Sequence, residues 1–143
     1  MKIIVLGNGN AGKTLCDYFR STSKYSILNL SRKDFDAANI DVNFFKKYIN
    51  KDDVVINCVG ILKPKITEIG EFTTYKINSI FPNMVYNICK FNNAHFIHIC
   101  SDCVYKGDIG NYTEDMPPDA TDIYALSKSM VNRGIILRTS FIS

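Results

Sequence analysis

Tyr124 and Lys128 stand four residues apart in Tyr124-Ala125-Leu126-Ser127-Lys128, a spacing that brings a phenol and an ammonium onto one face of a helix. A free tyrosine ionises near pH ~10, and a neighbouring lysine charge draws that value toward the range where the phenol can give and retake a proton. Ser101 closes the apolar run His95–Cys100, so a hydroxyl stands where a strand ends. Together the three groups suit reduction of a carbonyl. Tyr124 would give a proton to the oxygen as hydride reaches the carbon, Ser101 would hydrogen-bond the same oxygen, and Lys128 would tune Tyr124 and hold a nicotinamide ribose. The same spacing also arises on ordinary amphipathic helices, so the pair carries weight only beside a cofactor site.

Such a site is offered by Gly7-Asn8-Gly9-Asn10-Ala11-Gly12-Lys13-Thr14, which satisfies two patterns at once. As G-x-G-x-x-G after the apolar run Ile3–Leu6, it is a dinucleotide turn in which Gly7, Gly9 and Gly12, with Asn10 and Ala11, let the backbone approach a pyrophosphate at a helix N-terminus. As G-x-x-x-x-G-K-[ST], it is a P-loop in which Lys13 reaches terminal phosphates and Thr14 holds magnesium. A P-loop enzyme also wants a strand ending in a magnesium-holding Asp. The third strand ends in Asn57 instead, and Asp102 is the only substitute in view.

The elements that must position these residues read as alternating strands and helices. Residues 2–6 form a buried strand, and Ala11, Leu15, Tyr18 and Phe19 follow at helical spacing. Apolar stretches at Tyr25–Leu30, Val54–Cys58, His95–Cys100 and Ile135–Leu137 give further strands. Ile77, Ile80, Phe81, Met84, Val85 and Ile88 keep a helical period, with Pro82 in its first turn or kinking it. A loop rich in Gly, Asp and Pro, Lys106–Asp122, precedes a helix from about Ile123. This alternation predicts a doubly wound α/β fold, a parallel sheet of Rossmann type, as one domain over residues 1–143.

In such a sheet ligands meet the carboxyl ends of the strands. After the second strand come Ser31 and Arg32, where an arginine fork suits a 2′-phosphate and favours NADPH, with NADH the other option; an exposed charge is the plainer reading of Arg32. After the third come Asn57-Cys58-Val59-Gly60, a small turn that lets backbone pass close to a flat ligand.

Seventeen basic and fourteen acidic residues give a formal charge of +3 with the signs mixed along the chain, so no nucleic-acid partner is implied. No run reaches the roughly 18 apolar residues of a membrane helix, and Met-Lys-Ile-Ile enters a strand without a cleavable signal pattern, so a cytoplasmic location is expected. Five cysteines on such a chain read as reduced thiols. A metal or redox site at Cys100-x-x-Cys103 with His95 and His98 lacks a second paired knuckle and the helix start that thioredoxin-like use would want.

Gly7–Gly12, Asn57–Gly60, Asn78, Ser101–Gly107, Tyr124 with Lys128, and Arg138-Thr139-Ser140 resemble the extended short-chain dehydrogenase/reductases, and within them the sugar-nucleotide reductases of the dTDP-4-dehydrorhamnose reductase type. The stretch Ser101-Asp102-Cys103-Val104-Tyr105-Lys106-Gly107, followed by Asn111-Tyr112-Thr113-Glu114, is similar to that family's Ser-Thr-Asp-x-Val-Phe-x-Gly segment. The resemblance implies reduction of a 4-keto nucleotide sugar with NAD(P)H, with Ser101, Tyr124 and Lys128 catalytic. It places the cofactor on Gly7–Gly12, Ser31, Arg32, Asn57–Gly60, Asn78, Tyr124 and Lys128. The chain differs from the family pattern in four ways. Its glycine turn is one residue shorter, Cys100 and Ser101 replace Ser and Thr, and only residues 129–134 separate Lys128 from the last strand. Family members also run about twice as far, so a homodimer or partner chain is expected to complete the substrate pocket. A dinucleotide-binding module without turnover shares every feature except that completed pocket.

Overall fold

In the computed structural model, which describes residues 1–140, the first apolar run forms strand β1 (Lys2–Leu6), buried from Ile3 onward. Helix α1 (Asn10–Thr22) follows after only Gly7-Asn8-Gly9, and β2 (Ser26–Leu30) returns beside β1. Helix α2 (Val42–Tyr48) is started by Asp41, whose carboxylate accepts from the Asn43 and Phe44 amides, and it leads to β3 (Val54–Asn57). A single 3₁₀ turn (Lys63–Lys65) and the short helices α3 (Ile66–Ile69) and α4 (Glu71–Tyr75) precede a π-helical segment, Lys76–Ile80. Helix α5 (Phe81–Phe91), strand β4 (His95–Ser101), a 3₁₀ turn (Asp102–Val104), helix α6 (Ile123–Ser129) and β5 (Ile135–Thr139) complete the described chain.

All neighbouring strands run parallel in the order β2-β1-β3-β4-β5. The order reverses between β1 and β3, and a doubly wound sheet opens its ligand crevice at such a point. The α/β expectation holds. On one face Ile4, Leu6, Val55 and Phe96 pack against Phe45 of α2 and Phe81, Val85 and Ile88 of α5. On the other, Ile3, Val5 and Ile56 meet Cys16, Leu15 and Phe19 of α1. Phe35, in the loop after β2, stacks on Phe81 at 5.4 Å and meets Phe45 edge-on at 5.0 Å, so that loop is anchored to the core.

Coverage of the sheet is uneven. β5 pairs Ile135 with Ile97 and Leu137 with Ile99, which sets both β5 residues on the α1 face. No described helix covers them: Ile135 is 56% exposed and Leu137 43%.

Several expectations shift. Tyr18 is 60% exposed because α1 buries Gly12 and Cys16 instead. Ile80 is half exposed because the π segment rotates the helix by part of a turn, turning Asn78 and Ser79 inward. Pro82 lies in the first turn of α5, and its missing N–H cannot reach back to the carbonyl of Asn78. The second strand starts at Ser26, where its pairing with Lys2 of β1 begins, and β5 runs on to Thr139. Residues 141–143 of the expected domain lie outside those described.

Candidate active site

The turn between β1 and α1 is built to bring helix and backbone close. Gly7 adopts φ +99°, and its amide donates to the Leu30 carbonyl at 2.7 Å. Its own carbonyl accepts from Asn29 Nδ2 at 2.9 Å, which ties the turn to β2. A Cβ on Gly12 would collide with the Gly7 carbonyl, so only glycine lets α1 start this near the strand. Gly9 differs, because a Cβ there would meet nothing within 4 Å. It faces open space.

The start of α1 carries no side-chain cap and no acidic residue in its first turn. Its first amides and the positive end of the helix dipole are therefore left for an anion. The helix already includes Asn10 and Ala11, and the Lys13 amide bonds the Gly9 carbonyl at 2.9 Å, so the stretch before Gly12 that a P-loop would wrap around phosphates is helix instead. That geometry removes the P-loop reading.

A cleft of about 910 Å³ opens above this turn. Gly7, Gly9, Ser31, Arg32, Val59 and Gly60 line it, together with the Phe35–Ala38 loop that the sequence left unread. Ser31 is held by Asp34, whose carboxylate accepts from the Ser31 amide at 2.7 Å and from its hydroxyl at 3.2 Å. Arg32 is exposed at the rim and pairs with no carboxylate among the described residues.

At the far side, β4 delivers Ser101 and α6 delivers Tyr124 and Lys128, all three buried. Asp122 starts α6 by accepting from the Ala125 amide at 3.2 Å, and the helix spans 7 residues, as short as its spacing implied. Lys128 Nζ donates to the Ile99 carbonyl at 3.1 Å. A Cβ on Gly60 would stand 3.4 Å from that nitrogen, so Lys128 reaches from α6 to the wall of the cleft.

One expectation is corrected here. Burial pushes the Tyr124 phenol above its ordinary range, with hydrogen bonding to Ser101 pulling the other way, and Lys128 does not draw it down. The lysine is committed to the Ile99 carbonyl, and burial lowers its own affinity for a proton. At neutral pH Tyr124 is thus a protonated acid, the form a proton donor to a carbonyl needs.

Asn78 lies within the π segment, not on the cleft wall. Its Oδ1 accepts from the Ile61 amide at 2.7 Å, and its Nδ2 donates to the Ile61 carbonyl at 3.1 Å and to Ser127 Oγ at 3.0 Å. Ser79 adds a bond to the Ser127 carbonyl at 2.6 Å. These bonds tie the loop after β3 to α6, so Asn78 shapes both sites through other residues. Asn29 and Ser79 were not read from sequence, although a lone Asn within an apolar strand was a usable signal. On the outer side, Arg138 donates to Tyr105 Oη at 2.5 Å and to the Glu114 carbonyl at 3.1 Å, holding the long loop against β5. Among the described residues no three His, Cys, Asp or Glu side chains converge as metal ligands, and no helix is long and apolar enough to cross a membrane.

Residues 1–141 match the family described as the RmlD substrate binding domain. The chain belongs to that family. It is 33% identical over 89 residues to a dTDP-4-dehydrorhamnose reductase of Mycobacterium tuberculosis, an alignment covering 58% of this chain and 29% of that protein. It is 25% identical over 121 residues to methionine adenosyltransferase 2 subunit beta of Xenopus laevis, covering 85% of this chain and 34% of that one. The crystal structure of dTDP-4-dehydrorhamnose reductase from Bacillus anthracis in complex with NADP superposes with a TM-score of 0.77 at 26% identity, covering 91% of this chain and 48% of that one. The chain thus spans a third to a half of the length of these relatives.

Proposed function

We propose that this chain is the cofactor-binding and proton-donating part of an NADPH-dependent reductase acting on a 4-keto nucleotide sugar. The observation that carries the reading is the juxtaposition of an uncapped helix start over an open Gly9 with a buried Ser101, Tyr124 and Lys128 on the same edge of the sheet. The likeness to a reductase solved with NADP supports it.

Gly7, Gly9 and the first amides of α1 would hold the pyrophosphate, and Ser31 and Arg32 the adenosine end, with Arg32 able to pair a 2′-phosphate. Val59 and Gly60 would pass beneath the flat rings, and Lys128 would reach the nicotinamide ribose from beside Gly60. When bound, NADPH supplies the hydride. Ser101 and Tyr124 orient the ketone oxygen, and Tyr124, kept protonated by burial, gives it the proton. The described residues supply no cover for the sugar side beyond Ser101 and Tyr124.

A dinucleotide-binding module without turnover is the second reading, favoured by the likeness to a protein named as a subunit of methionine adenosyltransferase. Absorbance of NADPH in the presence of a dTDP-4-keto sugar separates the two. The reductase reading expects consumption that Tyr124→Phe lowers by at least ~100-fold while NADPH binding stays nearly unchanged. Binding with no consumption by the wild type, with or without a candidate partner chain, would leave the module.

A further inference from the structure

His98 lies fully buried on β4 in the middle of the sheet, and the reduction proposed above gives it no task. Its Nδ1 stands 3.0 Å from Asn57 Nδ2, across the β3–β4 register that sets the two residues side by side. The other half of the amide fixes which group faces the ring. Asn57 Oδ1 accepts the Val59 amide at 3.1 Å, so the amide nitrogen must face the imidazole. That nitrogen only donates. His98 Nδ1 is therefore the acceptor, and the ring proton belongs to Nε2.

Nε2 finds no partner among the described residues. A buried unpaired N–H costs stability, so packing alone gives no reason to keep a histidine here. Burial, with the charge of Lys128, holds the ring's pKa down to about 3, so it remains a neutral acceptor at any pH where the chain would work. At the other end of the connection, Val59 is what the glycine turn closes on. A Cβ on Gly7 would stand 3.3 Å from the Val59 nitrogen and 3.3 Å from its Cγ2.

We infer that His98 is a positioning residue for the cofactor cleft: its Nδ1 orients the Asn57 amide, which holds the Val59 N–H and so sets the 58–60 turn against Gly7–Gly9. This role rests on the NADPH reading above. Nδ1, not bulk, is the working atom, and two substitutions tell these apart. Asn places an amide oxygen where Nδ1 stands, whereas Gln, nearer to His in size, places its polar atoms where Nε2 stands.

Fluorescence titration of NADPH into the full chain and its variants reads the difference. The dissociation constant is expected to stay within about threefold of wild type in His98→Asn and to rise about tenfold in His98→Gln and His98→Leu, the scale of one buried hydrogen bond left unmade. Binding by His98→Gln as tight as wild type, or equal losses in His98→Asn and His98→Gln, would overturn the inference. The wild-type chain supplies a measurement that no variant's folding can spoil. Nitrogen-15 spectra of the histidine ring should show Nδ1 unprotonated and Nε2 protonated from pH 5 to 8, and a protonated Nδ1 would overturn the inference. Failure of the wild type to bind NADPH, with Nδ1 still unprotonated, would instead overturn the cofactor reading and this role with it.

Discussion

The β2-β1-β3 half of the sheet and the β4-β5 half are finished to different degrees. In the first, both faces are covered, the link from β1 to α1 is three residues long, and Asn29 and Asn57 hold the turns through bonds within the cleft's own walls. In the second, one face of β5 is left uncovered by the described residues, α6 spans two turns, and the irregular loop before it hangs on contacts such as those of Arg138. The difference separates two tasks. On the reading proposed above, the first half would hold the dinucleotide and the second would carry the groups that meet the substrate. The relatives run about twice as far as this chain.

The largest effects are expected at the glycine turn. Gly12→Val drives a side chain into the Gly7 carbonyl, and should cost about 3 kcal/mol of stability in urea unfolding along with NADPH binding. Gly9→Ala has room and an extended, negative φ, so it should cost at most about 1 kcal/mol, yet it sets a methyl where the ligand would lie and should weaken NADPH binding by tenfold or more. Unchanged binding in Gly9→Ala would mean that the closed half does not take its ligand there.

An intermediate effect comes from pH. His98 stays neutral in the folded chain down to about 3, whereas an unfolded histidine takes up its proton near ~6.5. Between those values the unfolded state binds the extra proton, so stability is full above about pH 6.5 and falls by up to about 1.4 kcal/mol per unit as pH drops through the window. Urea midpoints at pH 7 and pH 5 should show a loss of about 2 kcal/mol from this source, and His98→Leu should flatten the dependence. Parallel dependences in the two proteins would remove His98 as its origin. The smallest effect belongs to the open half. Ile135→Lys with Leu137→Lys should move stability by no more than about 0.5 kcal/mol and leave NADPH binding intact, because nothing described covers those side chains.

Much of the closed half was readable from sequence because its parts are local. A buried run, a glycine turn and a helix lie within residues 2–22, and each glycine's job follows from where the backbone must bend or approach. Alternating apolar runs likewise gave the parallel sheet. The misses share a cause, since they depend on partners distant in sequence. Asn78 looks like a polar residue in a helix until the π segment turns it toward Ile61 and Ser127. Tyr124 and Lys128 do share α6, but burial and the Ile99 carbonyl, not their spacing, decide the state of each. Helix α2 went unread although Asp41 marks its start, because its 7 residues are too few for a clear period.

On the reading proposed above, this chain alone holds a working dinucleotide cleft. Thermal-shift titration with NADPH, NADH and Mg-ATP in parallel tests it directly. NADPH should stabilise the chain saturably, by roughly 5–10 °C at a hundredfold excess over its dissociation constant, NADH less, and Mg-ATP not at all. Stabilisation by Mg-ATP alone, or by none of the three, would contradict it.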